Sequence, residues 1–239
     1  MKVFVGHEPR EQAAYDVAVN SMLWRASGPV DVTPLNRDRL ERCGLLRRPT
    51  DLRGSMYDLT SNARCATGFA ISRFLTPILA QTGWALFIDC DVVFLDDVAD
   101  LFALADPSKA VQVVKHDAEH KTQWKMDNQR QTSYERKNWS SVMLFNCDHP
   151  ANMGLTLEQI NKRPGRDLHR FCWLDDSQIG ALPAGWNWLV GVQPEPKLPK
   201  IAHYTLGGPW ITNWTAKPYD DLWLSAAENL GARELPGHA

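Results

Sequence analysis

The chain lacks several features that would assign it quickly to a functional class. Its five cysteines are scattered without a Cys-x-x-Cys pair, which argues against a zinc module and favours reduced thiols. It has no Gly-x-Gly-x-x-Gly run and no P-loop, so a dinucleotide or P-loop site is not supported. No apolar run reaches the length of a membrane span, and the N-terminal one is too short for a signal peptide. We therefore expect a cytoplasmic protein without a transmembrane segment.

An excess of positive charge is also missing. Lys and Arg total 26 against 28 for Asp and Glu, which gives a net charge of -2. This balance does not favour nucleic acid as a partner, and no basic run marks a membrane surface. The chain is 44% hydrophobic and 23% charged, without an internal repeat or linker, as is typical of one globular domain.

The most informative stretch runs from Trp84 to Phe94. Its first five residues are apolar, which predicts a strand buried on both faces of a mainly parallel sheet. Asp89 and Asp91 follow at the carboxyl edge, where open α/β sheets bind ligands, and point to the same side of an extended chain. Two converging carboxylates suit Mg²⁺ or Mn²⁺. The alternative is a pair of acids that begins a solvated turn.

Strand and helix patterns alternate along the rest of the chain, which predicts an α/β fold. The N-terminus is expected to form a strand at Val3–Val5 that ends at Gly6, then a helix from Tyr15 to Leu23, then a strand at 30–32. Further helices are predicted at 65–79, 98–104, 155–160 and from 220 onward, and further strands at 110–114 and 139–146.

Four polar residues admit two interpretations each. Arg73 lies in an apolar helical pattern, so it either snorkels from a half-buried helix or faces an anionic ligand. Asp175 and Asp176 either cap a helix or act chemically. His203, taken alone, is more often a core histidine than a metal ligand.

Other polar stretches carry less information. The arginines of 36–53 are expected to be solvated on a surface connection, and so are His116 and His120. The polar stretch 119–138 is predicted to be a long loop that covers the site, because long loops in compact domains are commonly functional.

In this order, the landmarks resemble glycosyltransferase family 8, whose members have the GT-A fold. The matching segments are Val3–Glu8, Thr67–Pro77, Phe87–Asp91, Val142–Asn146, Asp175–Gly180, Leu182–Asn187 and His203–Trp210. The resemblance implies a single Rossmann-like GT-A domain, 1–239, with a mainly parallel central sheet flanked by helices. Its nucleotide-binding half would be 1–115, and its acceptor and sugar half 116–239.

The resemblance also implies roles for individual residues. Asp89, Asp91 and His203 would bind Mn²⁺ or Mg²⁺. Asp175 would orient sugar hydroxyls, and Asp176 would act as nucleophile or as electrostatic partner of the reacting carbon. The donor-binding set would be Val5, Gly6, Arg73, Cys90, Lys115, Gly207 and Trp210.

The chain departs from the family pattern at several positions. Trp139 stands where an Asn usually precedes the strand, and Asp176 stands where the family has Gln. The Lys that holds the diphosphate before the C-terminal Pro-Trp is missing, and the preceding His is one residue closer than usual. Lys115, Arg73 or a loop cation would replace that Lys. The donor and the stereochemical outcome therefore stay open, and the chain represents a divergent branch.

The expected function is a metal-dependent hexosyltransferase. It would move a sugar, with retention, from a nucleotide-sugar donor such as a UDP-sugar to a glycan, protein or small-molecule acceptor. One alternative is a haloacid-dehalogenase-like phosphohydrolase, since apolar residues followed by Asp-x-Asp also form the first motif of that class. That motif normally opens the chain, whereas a whole α/β unit precedes Asp89. The other alternative is a non-catalytic sugar-binding relative.

Overall fold

A computed structural model of the chain describes residues 1–51, 56–116 and 136–231. The strands are β1 (Lys2–His7), β2 (Asp31–Asn36), β3 (Thr50–Asp51), β4 (Tyr57–Asp58), β5 (Ala63–Arg64), β6 (Trp84–Ile88), β7 (Val92–Phe94), β8 (Val111–Val113), β9 (Val142–Asn146), β10 (Ile179–Ala181), β11 (Trp188–Leu189) and β12 (Ile201–His203). The α-helices are α1 (Gln12–Arg25), α2 (Arg37–Arg42), α3 (Thr76–Ala80), α4 (Val98–Phe102), α5 (Leu157–Lys162), α6 (Gly165–His169) and α7 (Asp220–Gly231). Short 3₁₀ turns lie at Pro9–Glu11, Ser72–Leu75, Trp139–Ser141, Pro150–Gly154, Asp176–Gln178 and Ala184–Asn187.

The central sheet has the order β10-β8-β9-β6-β1-β2. Strands β2, β1 and β6 are mutually parallel, as are β10 and β8, whereas β9 runs antiparallel to both of its neighbours. The predicted α/β fold with a mainly parallel sheet is confirmed. Because β1 and β6 end at the same edge, the loop after β1 lies beside the acids that follow β6.

Apolar runs in the central strands account for the core. Residues 85–88 of β6 and 142–145 of β9 are completely buried, as continuous apolar runs in a doubly covered sheet require. Helix α1 joins two clusters, since Ala18 and Met22 pack into the main core while Val17 packs with Trp188 and Trp223. Trp223 belongs to α7, so the C-terminal helix predicted from 220 onward forms and packs on the body.

A second, smaller sheet brings the C-terminal half to the end of β6. The chain leaves β6 at Asp89, passes Cys90 and Asp91, and resumes as β7, which pairs antiparallel with β12. In this register Val92 lies opposite His203. The backbone N–H of Tyr204 donates to the Asp91 carbonyl at 2.8 Å. Two segments more than a hundred residues apart in sequence are thereby joined at one point.

The helix predicted at 65–79 is shorter than expected. It consists of the 3₁₀ turn Ser72–Leu75 followed by α3. Phe69, which precedes it, packs against β1 instead: a Cβ at Gly6 would lie 2.5 Å from the ring of Phe69. The sequence predicts that the first strand ends at Gly6, whereas β1 continues to His7. Glycine is present within this strand because the Phe69 ring occupies the space that a Cβ at position 6 would need. Likewise, the strand predicted from Trp139 begins at Val142, after a 3₁₀ turn.

The prediction that the arginines of 36–53 are solvated is wrong for Arg48. Its side chain is 1% exposed and lies 2.5 Å from the Asp58 carboxylate. Its Nη1 also donates to the carbonyls of Ile160 and Arg163, at 2.8 Å each. The hairpin of β4 and β5 is therefore tied to α5, which periodicity in the sequence does not reveal.

The prediction of a solvated His116 is also wrong. Its ring is buried, with Nε2 3.0 Å from the Asn187 amide nitrogen and Nδ1 3.1 Å from the Gln193 amide nitrogen. His120 and most of the predicted covering loop, 119–138, lie outside the described residues. Among the helices of the described ranges, none has the length and apolar character needed to span a membrane. The five cysteines, all in described ranges, form no disulfide.

Candidate active site

Two carboxylates and one imidazole meet at the end of β6. One ligand atom from each of Asp89, Asp91 and His203 lies within 4.8 Å of the others. His203 Nε2 is 3.2 Å from an oxygen of Asp91, and the Asp89 backbone N–H donates to the Ser141 carbonyl at 2.9 Å. The structure therefore brings together the three residues that the resemblance implied as metal ligands.

Asn187 orients the imidazole of His203. The amide oxygen of Asn187 lies 2.8 Å from His203 Nδ1, so the imidazole donates its Nδ1–H to that oxygen. The Asn187 amide nitrogen in turn lies 2.9 Å from Ser141 Oγ. Asn187 is completely buried, which fixes this geometry. Hydrogen bonding at Nδ1 leaves Nε2 as the coordinating atom, the usual device for aiming a histidine ligand at a metal.

Arg73 lies beneath Asp89 and does not snorkel to solvent. Its Nη1 is 3.0 Å from a carboxylate oxygen of Asp89 and donates to the Ser140 carbonyl at 2.8 Å. The guanidinium lies 5.4 Å from the ring centroid of Phe69 and 5.0 Å from that of Phe87, and the side chain is 8% exposed. Its immediate anionic partner is therefore a carboxylate of the cluster.

Two further acids, Glu8 and Glu11, follow β1 beside the cluster. Glu8 is buried and accepts hydrogen bonds from Gly68 N at 2.9 Å and Arg10 Nε at 3.0 Å. Burial opposes the charge of Glu8, but these hydrogen bonds hold its pKa below the usual value. Burial, together with the charges of Asp91 and Glu8, raises the pKa of Glu11 to about 7. Glu11, which lines the cavity, was missed as a site residue; the signal available was its position just after the loop that follows the first strand.

A cavity of about 720 Å³ opens over this cluster. Of the residues nominated from the sequence, six line it: Arg73, Asp89, Asp91, His203, Gly207 and Trp210. The other six, all in described ranges, do not: Val5, Gly6, Cys90, Lys115, Asp175 and Asp176.

Asp175 and Asp176 lie apart from the cluster on the surface. Asp175 precedes the 3₁₀ turn Asp176–Gln178, and its backbone N–H donates to the Gln178 side chain at 2.9 Å. The Asp176 side chain is 88% exposed and forms an ion pair with Arg136. The capping interpretation describes this geometry, and a chemical role for either acid stays a prediction.

The remaining donor-binding candidates do not line the cavity, because they are buried or contact other side chains. Gly6 is covered by Phe69, and Val5 is completely buried in β1. Cys90 is buried as well, and burial raises the pKa of its thiol well above the usual range. Lys115 places its ammonium 5.6 Å from the ring centroid of Trp139. Any contact of these residues with a donor stays a prediction.

The cluster fits a divalent cation. It offers two carboxylate oxygens and an imidazole nitrogen whose other nitrogen is held by Asn187. Glu11 adds a third carboxyl to the same cavity, while Arg73 is the neighbouring cation that offsets Asp89. Oxygen-rich sites of this type suit Mg²⁺ and Mn²⁺.

Comparison with known proteins assigns the fold and the family. No protein-family model matches the sequence. Among solved structures, the chain is similar to the glycosyltransferase GlyE of Streptococcus pneumoniae TIGR4, with a TM-score of 0.60 and 12% identity over 95% of this chain and 59% of that one. It is also similar to the galactosyltransferase LgtC in complex with donor and acceptor sugar analogs, with a TM-score of 0.55 and 14% identity over 100% of this chain and 98% of that one.

These TM-scores establish a shared GT-A fold, and the chain spans only 59% of the GlyE chain. A curated relative is much closer in sequence: Protein CDI of Arabidopsis thaliana is 43% identical over 233 residues, which cover 95% of this chain and 86% of the relative. The chain therefore has the GT-A fold of glycosyltransferases and belongs to the family of Protein CDI.

Proposed function

We propose that the protein is a metal-dependent glycosyltransferase that moves a hexose from a UDP-sugar to an acceptor, with retention, as one domain in the cytoplasm. The observation that carries the proposal is the cluster of Asp89, Asp91 and His203 at the floor of a cavity in a GT-A fold. The crystal structure of LgtC with donor and acceptor sugar analogs supports the choice of a nucleotide-sugar reaction.

The metal ligands and the two residues that orient them would together bind the donor. Mn²⁺ or Mg²⁺ held by Asp89, Asp91 and His203 would supply Lewis-acid stabilisation of the departing nucleoside diphosphate. Arg73 fixes the carboxylate of Asp89, and Asn187 fixes the imidazole of His203. Both supports are buried, so the geometry is set before the donor arrives.

Arg10 is the best candidate for the cation that replaces the missing diphosphate-binding Lys. It lines the cavity from the loop after β1, and its side chain is 66% exposed. Its Nε lies 3.0 Å from Glu8, which keeps the guanidinium at the cavity rim. Lys115 does not line the cavity, and Arg73 is engaged with Asp89. A guanidinium at this position suits the diphosphate geometrically and electrostatically.

A thermal-shift panel tests the proposal. UDP, GDP, CDP and ADP are each added with and without Mn²⁺, because a ligand that binds only the folded state raises its melting temperature. We expect a shift for UDP that requires Mn²⁺ and disappears in Asp91→Asn. The matched control is Asp100→Asn, an exposed acid on α4 outside the cavity, which should shift like the wild type.

The absence of a metal-dependent shift with any of the nucleotides would overturn the proposal. Hydrolysis of simple phosphoesters that Asp89→Asn abolishes would instead assign the phosphohydrolase class. For the acids of the 3₁₀ turn, Asp176→Asn with wild-type turnover would exclude a nucleophilic role.

A further inference from the structure

The charges that line the cavity are unevenly distributed. Within the described residues, its acidic side chains are Glu11, Asp89 and Asp91, and two of its four arginines already pair with acids, Arg73 with Asp89 and Arg10 with Glu8. All three acidic side chains of the lining belong to the end of the cavity formed by the metal cluster, here called the metal end. The remaining two arginines of the lining, Arg64 on β5 and Arg166 on α6, are here called the basic wall.

The basic wall is assembled from two segments that meet at a glycine. The Gly165 N–H donates to Ser61 Oγ at 2.8 Å, which sets the β4–β5 hairpin beside α6. A Cβ at position 165 would lie 2.8 Å from Ile71 Cδ1 and 3.2 Å from Ser61 Oγ, so glycine lets α6 approach the hairpin without displacing these side chains. Arg64 follows Ser61 on the hairpin, and Arg166 follows Gly165 on α6. Both guanidinium groups are thereby placed along one wall of the cavity.

A buried ion pair lies under this wall. Arg48 and Asp58, each 1% exposed, pair beneath the hairpin, and Arg48 also donates to Ser61 Oγ at 2.9 Å. The two arginines of the basic wall are by contrast accessible: Arg64 is exposed, and the Arg166 side chain is 72% exposed. Asp167 lies 3.5 Å from Arg166 but does not line the cavity. Accessible arginines on a buried, hydrogen-bonded support are suited to binding an anion from solvent.

A short chain of contacts connects the basic wall to the metal end. His169 of α6 has Nδ1 2.6 Å from Ser140 Oγ, and the Ser140 carbonyl accepts from Arg73, the partner of Asp89. A ligand held by Arg166 can therefore extend along α6 toward the metal cluster within the same cavity of about 720 Å³.

We propose that the acceptor carries an anionic group, a phosphate monoester or a carboxylate, which Arg64 and Arg166 bind while an acceptor hydroxyl faces the metal end. This inference rests on the proposed glycosyltransferase function and names the substrate class for it. The bond between the sugar's anomeric carbon and the donor's diphosphate oxygen would break, that carbon would bond to a hydroxyl oxygen of the acceptor, and the hydroxyl proton would pass to the departing nucleoside diphosphate. The anionic group itself does not react; it positions the hydroxyl.

Calorimetric titration with matched sugars tests the inference. The probes are glucose 6-phosphate, glucuronate and neutral glucose, each titrated with and without saturating UDP and Mn²⁺. We expect at least one anionic probe to bind roughly tenfold or more tighter than glucose, because a charge-assisted hydrogen bond contributes about that factor. Arg64→Gln and Arg166→Gln should each weaken that probe roughly tenfold. Arg42→Gln, at an exposed position on α2, is the matched control and should change nothing.

The outcomes separate this inference from the proposed function. Equal binding of the three sugars would overturn the anionic acceptor, even if UDP and Mn²⁺ bind as expected. A parallel loss of UDP–Mn²⁺ affinity in Arg64→Gln and Arg166→Gln would also overturn it, since the arginines would then hold the donor diphosphate. Failure of UDP to bind the wild type would instead count against the proposed function. Urea unfolding verifies that each variant is folded.

Discussion

Two Arg–Asp pairs in the described parts of the chain, one fully buried and one partly buried, have different surroundings. In the pair of Arg48 and Asp58, both side chains are 1% exposed, and the guanidinium is surrounded by carbonyls and a hydroxyl of the protein itself. In the pair of Arg73 and Asp89, the side chains are 8% and 14% exposed and line the cavity. The first pair, here called the closed pair, is enclosed by protein atoms. The second, here called the open pair, lies beside the cavity with Asp91 and His203.

This difference separates structural from functional charge. A closed pair stabilises the fold only as long as both partners remain, because the survivor of a broken pair is a buried, uncompensated ion. An open pair beside Asp91 and His203 leaves carboxylate oxygens able to meet a ligand from the cavity. Burial of an arginine therefore does not by itself identify a binding site. A binding site is indicated when the carboxylate that pairs with the arginine also lines a cavity.

The largest expected effect is on stability, from Arg48→Met. The substitution leaves Asp58 buried without its cation, so the free energy of unfolding should fall by about 3 to 5 kcal/mol. Urea unfolding measures this. The control Arg42→Met, at an exposed position, should change it by less than about 0.5 kcal/mol. A loss as small as that of the control would contradict the structural role.

The corresponding change in the open pair, Arg73→Met, should act mainly on binding. Asp89 keeps access to the cavity, so the loss of stability should be roughly half that of Arg48→Met. The affinity for UDP with Mn²⁺ should fall about a hundredfold, because the variant loses both a charge that offsets the donor and the orientation of Asp89. If stability falls as in Arg48→Met while UDP still binds with wild-type affinity, the distinction between the two pairs is wrong.

Asn187 should affect metal affinity without touching the metal. Asn187→Leu removes the acceptor that holds His203 Nδ1–H, and loss of such a partner should weaken Mn²⁺ binding at least about tenfold. Asn187→Asp keeps an acceptor oxygen and should restore part of that affinity. Calorimetric titration with Mn²⁺ distinguishes the two variants. Equal affinities in both would show that Asn187 acts on the fold alone.

The smallest expected effect is the pH dependence contributed by Glu11. Its pKa is about 7 in the folded state against the usual 4.5, so between these values the folded state holds a proton that the unfolded state has lost. The free energy of unfolding should therefore fall as pH rises through this range and level off above it.

Glu11→Gln should remove this fall. In metal-free buffer at pH 8 the variant should be more stable than the wild type by on the order of 1 to 2 kcal/mol. Urea unfolding at several pH values is the measurement, with Glu158→Gln, an exposed acid of α5, as control. If the free energy of unfolding depends on pH in the same way in the wild type and in Glu11→Gln, the raised pKa of Glu11 is excluded.

The sequence predicts those parts of the fold and site whose signal lies within one short segment of the chain. The apolar run of β6 followed by Asp89 and Asp91 predicts both the buried strand and the paired carboxylates, since periodicity and order along the chain carry that information. His203 came from the resemblance alone, because the pairing of β12 with β7 is a tertiary contact. Asn187 and Glu11 were missed for the same reason: their roles arise from partners distant in sequence.

Two wrong predictions share one physical cause. Arg48 and His116 were assigned to solvent because they lie in polar stretches, yet both are buried by segments that return to them from more than fifty residues away. A polar side chain can be buried wherever hydrogen-bonding partners satisfy it, and those partners are not neighbours in the chain. Only the second half of the helix expected at 65–79 forms, and Phe69 in its first half packs on Gly6 of β1, another contact between segments distant in sequence.

The central claim is that Asp89, Asp91 and His203 bind a divalent cation, and titration with Mn²⁺ followed by electron paramagnetic resonance tests it most directly. Free Mn²⁺ gives a sharp six-line spectrum that weakens as the ion is bound. We predict saturable binding of one Mn²⁺ per chain, lost in Asp91→Asn and retained in the control Asp100→Asn. A spectrum that shows no binding to the folded wild type, or equal binding to Asp91→Asn, would contradict the account.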